Sequence, residues 1–321
     1  MAIRSFILGA FLAAGVPTAW TIIGIAGLQA QTMPRTSGVL LLAHGGAAEW
    51  NDRVTTVGAA VDKQQPTEIA FGMASRAAMQ AAVDRLEARG VTEIVAVPLF
   101  VSSWSSVIRA TEFLLTLRKD APADLALFAK MDHGSHGAGA SAPAGHGTPA
   151  VDGTVPLAMR VPVRMTAALN RHPRVGRILA DRAAEISRNP ASEAVVIVAH
   201  GPVPEEDNRL WLGDMASLAG QVRASRPFAA VHFLTVRDDA PAEMKAAATA
   251  ELRSIAQNEI AAGRRVLIVP HLMSFGGIEQ GVRKRLDGLD YTMAGQALMP
   301  DARITEWVIE SATTGTQPAS R

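Results

Sequence analysis

The chain states one strand-and-turn pattern twice, and that repetition constrains its fold more than any other feature. Leu40-Leu41-Leu42-Ala43-His44-Gly45 returns as Val196-Ile197-Val198-Ala199-His200-Gly201, and an Asn follows each on the next segment, Asn51 and Asn208. Val95-Ala96-Val97-Pro98-Leu99-Phe100 returns as Val266-Leu267-Ile268-Val269-Pro270-His271-Leu272. A looser echo links Arg164-Met165-Thr166-Ala167-Ala168-Leu169 to Thr292-Met293-Ala294-Gly295-Gln296-Ala297-Leu298. Three matched blocks in one order point to a duplicated domain. In both copies a histidine stands just past an apolar run, where an open α/β sheet presents its ligand site. A functional cleft between two similar halves is the expectation.

The apolar runs read as strands buried on both faces, and helical spacing fills the stretches between them. In the first half, Val39 to Leu42, Glu68 to Met73 and Glu93 to Phe100 are expected strands. Ala48 to Val61, Ser75 to Arg89 (stopped by Gly90) and Ser105 to Lys119 are expected helices. The second half repeats the plan, with strands at Ala194 to Ala199, Ala229 to Val236 and Arg265 to Val269. Its helices are expected over Glu205 to Ser225, Ala242 to Ala262 and Ile278 to Leu286. Alternation of this kind argues for parallel βαβ units. The expected architecture is α/β: two flavodoxin-like parallel-sheet halves related by internal duplication, over residues 37–170 and 171–321.

Sixty-seven positions separate Pro98 from Met165 but only twenty-three separate Pro270 from Met293, so the first half carries an insertion of about 44 residues. Its His/Gly-rich part, residues 131–153, holds His133, His136 and His146 among Gly, Ala, Ser and Pro. Such a composition cannot offset chain entropy by apolar burial and predicts a loop. Its histidines make it a candidate weak metal collector.

The N-terminus differs from the rest. Arg4 precedes an apolar stretch from Ser5 to about Ala26, the first acidic residue is Glu49, and Ala30 precedes a candidate cleavage point before Gln31. Residues 1–30 therefore read as a signal peptide or a retained anchor, with possible membrane attachment through residues 5–27. A periplasmic or otherwise extracytoplasmic location is expected. A buried core helix is the alternative.

Composition removes several chemistries. A net charge of +1 over 321 residues and 5% aromatics offer nothing to attract or stack nucleic acid. The absence of cysteine removes thiolate metal sites and cysteine nucleophiles, so any metal is held by nitrogen or oxygen. No Gly-x-x-x-x-Gly-Lys, Gly-x-Gly-x-x-Gly or Gly-x-Ser-x-Gly is present, which argues against a nucleotide cofactor and against a hydrolase.

The order and spacing of LLLAHGG, VPLFVSSWSSVI, VIVAHGPVPEEDNRLW, VHFLTVRDDAP and IVPHLMSFGGIEQGV resemble the class II sirohydrochlorin chelatases, over most of residues 37–310. The likeness is to a two-repeat long form with an N-terminal export segment. It implies ATP-independent insertion of Co²⁺, Fe²⁺ or Ni²⁺, as substrate, into a tetrapyrrole, a lyase reaction. It also implies that the histidine of the His-Gly motif is a metal ligand and that a second histidine follows the Pro of the second motif. Neutral imidazole suits both metal binding and proton acceptance near pH 7.

The chain departs from that pattern where the second histidine is due. Ser102-Ser103-Trp104-Ser105-Ser106 follows Pro98, with Trp104 about where the histidine is expected, and Ser274-Phe275-Gly276-Gly277-Ile278-Glu279 follows Pro270. The substitutes are His271, beside His200 as a metal ligand, and Glu279 as proton acceptor, with Glu205 and Glu206 as further acids. His200, His271 and Glu279 are thus the catalytic candidates, and His44, His200 and His271 the metal ligands. Gly45, Gly46, Gly201, Gly276, Gly277 and Trp104 are candidates for contacting the tetrapyrrole, glycines because a sharp turn or a close-lying ring excludes a Cβ. His172 and His232 read as structural. The rival function is an extracytoplasmic metal or tetrapyrrole carrier without turnover.

Overall fold

Runs such as Val39-Leu40-Leu41-Leu42 have no polar face, so they are stable only between two layers of helices. The computed structural model describes residues 36–132 and 152–314 and places them so. The first half contains β1 (Ser37–Ala43), α1 (Ala48–Asp62), β2 (Thr67–Phe71), α2 (Arg76–Ala88), β3 (Glu93–Pro98), α3 (Ser106–Leu114), α4 (Leu125–Asp132), β4 (Val163–Met165) and α5 (Pro173–Ile186). The second contains β5 (Glu193–Ala199), α6 (Glu205–Ser225), β6 (Ala230–Thr235), α7 (Ala242–Ala261), β7 (Arg265–His271), α8 (Ile278–Arg285), β8 (Thr292–Met293) and α9 (Ala302–Thr314). The apolar N-terminal segment, His133, His136 and His146 lie outside the described residues. Among the described residues no helix is long and apolar enough to cross a membrane.

Among the described residues all strands run parallel, in two four-stranded sheets of the same order: β2-β1-β3-β4 and β6-β5-β7-β8. The registers correspond as well. Leu42 lies opposite Pro98 and Val198 opposite Pro270. Met165 lies opposite Ala96, and Met293 opposite Ile268, each two residues before the strand's Pro. The fold is therefore α/β with two parallel-sheet halves of like topology.

The described residues make one compact unit, because the halves share a core. Alternate residues of the central strands, Val39, Leu41, Val95 and Val97 in one sheet and Val195, Ile197, Leu267 and Val269 in the other, bury themselves in a single cluster. The opposite faces carry separate clusters, Leu40 and Ala96 in the first half, Val196 and Ile268 in the second. The helix that closes each half packs on the other: α5 lies against α6 and β7, and α9 against α1 and β3. Ile178 and Leu179 of α5 and Val308 of α9 are fully buried in that exchange. Each such side chain contributes about 1.5–3 kcal/mol relative to exposure. Pulling the halves apart therefore exposes apolar surface on both.

One helix is shorter than its pattern predicts. Apolar spacing carries Ser105 to Lys119, but α3 ends at Leu114 and Thr116 adopts φ 60°. Leu114 and Leu115 are fully buried there, so the chain turns to seat both rather than continue a helix into solvent.

Candidate functional site

Both His-Gly motifs fall where a strand stops. β1 ends at Ala43, and Gly45 turns the chain with φ 80°. His44 is exposed, and its Nδ1 donates to the Gly45 carbonyl oxygen at 2.7 Å. A carbonyl only accepts, so the proton sits on Nδ1 and the lone pair on Nε2. The Asn51 side chain then fixes the turn, accepting from Gly46 N at 2.9 Å and donating to Gly46 O at 3.1 Å.

The second motif is built differently. Gly201 has φ 78°, and a Cβ on it would lie 2.4 Å from Thr235 Cβ, so glycine is required by space as well as by conformation. Asn208 accepts a hydrogen bond from Thr235 Oγ1 at 2.7 Å instead of clamping the turn. The clamp is Arg237, a buried cation at φ 51°. Its backbone N–H donates to His200 O at 2.6 Å. Its guanidinium donates to Pro202 O, Val203 O and the Glu205 carboxylate. His200 Nε2 lies 3.3 Å from Asp239 Oδ2, within ion-pair distance but off the line of a formed hydrogen bond. That nitrogen is enclosed and has no other partner among the described residues.

His271 stands apart from both. It ends β7 opposite Ala199, and strand alternation sends it to the shared core with Leu267 and Val269. Its residue is 1% exposed, and neither ring nitrogen has a partner among the described residues. Burial lowers its pKa from 6.5 to about 4, so the ring is neutral. It makes no hydrogen bond among the described residues, and it stands across the β5–β7 pair from Ala199, the residue before His200. At the same place after the strand, the first half has Leu99, also fully buried.

The turns after β3 and β7 each lean on the opposite half. Trp104 Nε1 donates to Asp214 Oδ2 on α6 at 2.7 Å, and Arg109 on α3 makes two bonds to Asp207 at the start of α6, at 3.0 and 2.8 Å. Burial pushes the Asp214 carboxyl above the usual carboxylate range, against the pull of Trp104 and Arg171. Reciprocally, Arg53 on α1 donates to Ser274 Oγ at 2.6 Å. Trp50 packs beneath both Gly46 and Gly276, which brings the first His-Gly turn beside the turn after β7. Gly277, at φ 124°, has open space where a Cβ would be.

Glu279 caps that turn. Its Oε2 accepts from Gly276 N at 3.1 Å and Gly277 N at 2.9 Å. Burial raises its pKa, but these backbone bonds outweigh the burial and hold it below the usual range. It is an ionised, committed acceptor here, which makes it a poor proton acceptor while the bonds last. Among the described residues no group of three His, Asp or Glu side chains is assembled to hold a metal. His172 caps α5 through Nδ1, accepting from Arg174 N at 3.2 Å, and His232 pairs with Glu259 at 2.8 Å, both structural.

Arg237 and Asp239 surround the His200 turn, and the sequence reading misses both. The signal for them is the charged Arg237-Asp238-Asp239 immediately after an apolar strand, at the same sheet end as His200.

Residues 38–186 match the family model CbiX. No curated protein matches the sequence. Among solved structures, SirB from Bacillus subtilis with Fe³⁺ is similar at 13% identity and a TM-score of 0.54, over 86% of this chain and 94% of that one. The sirohydrochlorin chelatase SirB from Bacillus subtilis subspecies spizizenii, in complex with cobalt, is similar at 12% identity and a TM-score of 0.50, over the same shares. At such identities the structural likeness is one of fold, and the likeness to the CbiX family is confined to the matched segment. Residues 38–186, somewhat under half of the chain, are thus similar to the CbiX family, and the two parallel sheets share the fold of the sirohydrochlorin chelatase structures.

Proposed function

We propose that the protein is an exported, ATP-independent chelatase that inserts Co²⁺, Fe²⁺ or Ni²⁺ into a sirohydrochlorin-type tetrapyrrole. The observation that carries this reading is the pair of His-Gly turns at the C-terminal ends of parallel strands, in a chain whose residues 38–186 match the CbiX family model. The metal is a substrate: it exchanges water for imidazole nitrogen, then enters the ring as two pyrrole protons leave, so charge is conserved. His44 and His200 are its first ligands in this reading. Gly45, Gly46, Gly201, Gly276, Gly277 and Trp104 face the tetrapyrrole. His271, enclosed in the shared core, serves as a ligand only when the halves part, and Glu279 accepts a proton only when its turn releases it. Export rests on Arg4 and the apolar stretch after it, with residues 1–30 as leader or anchor.

A carrier without turnover is the second reading. It is favoured by the lack of a three-ligand group among the described residues and by Trp104 standing where the family's second histidine is expected. Anaerobic incubation of the purified protein with sirohydrochlorin and Co²⁺, followed by absorbance against a protein-free control, separates the two. A rate above control that is lost in His200→Ala is the expected result. No rate, with a spectral shift on binding tetrapyrrole or metal alone, leaves the carrier.

A further inference from the structure

His44 and His200 occupy matching places but present opposite nitrogens. His44 gives its Nδ1 proton to a backbone carbonyl and keeps Nε2 for a ligand. His200 turns Nε2 inward, toward Asp239, which leaves Nδ1 as its ligating atom. The surroundings of Asp239 hold it in place. Arg237 ties the turn to His200 O, Pro202 O and Val203 O, and Ala240 N closes it on Arg237 O at 3.0 Å. On the far side, Asp238 pairs with Arg285 of α8, which also donates to Thr249 of α7 at 3.1 Å. Asp239 is the one carboxylate of this turn left to face His200. Its side chain is 68% exposed, and His200 is its single polar partner among the described residues. The corresponding first-half turn, Gly72-Met73-Ala74-Ser75, has no carboxylate.

We propose that Asp239 is a positioning residue for His200: it takes the Nε2 proton in a hydrogen bond, fixes the ring with Nδ1 bare, and makes that nitrogen the protein's stronger metal ligand. A carboxylate behind a metal-binding imidazole fixes its tautomer and raises its basicity, and loss of such a partner typically weakens metal binding about 10–100-fold. The 3.3 Å contact shortens as a ligand seats, as site hydrogen bonds commonly do. This assignment concerns metal capture at His200, and it deepens the chelatase reading without depending on turnover.

The test uses the full-length protein labelled with ¹⁵N-histidine, at a pH where imidazole is neutral. Two-bond ¹H–¹⁵N spectra report which ring nitrogen carries the proton, and the His200 signal is identified by its loss in His200→Gln. The expected parent tautomer is Nε2–H. Asp239→Ala shifts the tautomer balance and weakens Co²⁺ binding about 10–100-fold, while Asp239→Glu restores most of both. An unchanged tautomer in Asp239→Ala overturns the assignment, even if affinity falls, because the carboxylate then acts only as a distant charge. An unchanged Co²⁺ affinity overturns it too. If these shifts occur but the parent inserts no cobalt, the positioning role stands and only the chelatase reading falls.

Discussion

The two halves share a strand order and a His-Gly turn, yet they secure the turn by different means. In the first, a neutral Asn51 bridges the two sides of Gly46, and among the described residues nothing charged approaches His44 through hydrogen bonds. In the second, a buried Arg237 fastens three carbonyls around His200, and Asp239 stands at its ring. The family model falls on the first half, residues 38–186, while the more elaborate charge arrangement belongs to the second. A common backbone plan therefore does not give the two histidines common chemistry. What differs is the side-chain support, and that support sets which nitrogen is free and how basic it is.

The difference is coupled across the shared core. The first half's turn after β3 and its helix α3 are tied to α6 by Trp104 and Arg109, so the helix that follows the His200 turn is braced by the other half. The largest expected effect comes from breaking that tie. Asp207 is buried and takes both bonds of the Arg109 guanidinium. Asp207→Ala leaves a largely buried cation without its carboxylate and is expected to cost about 3–5 kcal/mol. Urea denaturation followed by fluorescence measures it. A loss under about 1 kcal/mol would mean that the pair behaves as a surface contact and that the halves are not coupled there.

The glycines sharpen the comparison further. Gly45 and Gly201 have nearly equal φ, 80° and 78°, so alanine at either incurs the same conformational penalty of about 1–2 kcal/mol. Space differs: a Cβ at Gly45 would meet Phe71 at 3.5 Å, an ordinary contact, whereas at Gly201 it would meet Thr235 at 2.4 Å. Gly201→Ala should therefore cost about 1–3 kcal/mol more than Gly45→Ala, the typical penalty of overpacking. Equal losses in a thermal or urea comparison would remove the claim that the second turn is the tighter one.

These details divide into what a sequence can carry and what it cannot. The strands are legible because Val39 to Leu42 and Val195 to Val198 are apolar on both faces, which only a covered parallel sheet tolerates. The His-Gly turns are legible because glycine marks a sharp exit from a strand. The exchange of α5 and α9 between halves is not, since amphipathic spacing says that a helix buries a face but not against which sheet. The end of α3 at Leu114 is hidden for a related reason: tertiary burial of Leu115 overrides a helical pattern running to Lys119. The site shows the same limit. Trp104 and Asp214 are 110 positions apart, and His200 and Asp239 meet only because β5 and β6 are neighbours in the sheet. His271 reads as a companion of His200 from its place beside Pro270. Strand alternation puts it on one face with Leu267 and Val269, but that this face lies inside a core shared by both halves is a tertiary fact.

His271 and Leu99 offer the finest comparison, with the smallest effect at neutral pH. Both stand at the end of the third strand of their half and both face the shared core, but only the histidine leaves two buried nitrogens without a partner among the described residues. An unpaired buried polar group costs about 1–3 kcal/mol, so His271→Leu, which copies the first half, is expected to stabilise the protein by up to that amount at pH 7. The pH dependence identifies the cause. The folded pKa is about 4 and the ordinary value 6.5, so between them the unfolded chain binds a proton that the folded chain refuses. Stability from this group is complete above pH 6.5 and falls as the pH drops toward 4, by up to about 3 kcal/mol for a shift of that size. The gap between His271→Leu and the parent should therefore widen steadily from pH 7 to pH 4 in urea titrations. A gap that stays constant would mean that the imidazole finds a partner in solution, and a destabilised variant at every pH would make His271 a packing residue that leucine cannot replace. A widening gap, joined to weaker Co²⁺ binding by the variant, would mark a histidine kept at a cost to the fold because metal reaches it when the halves part.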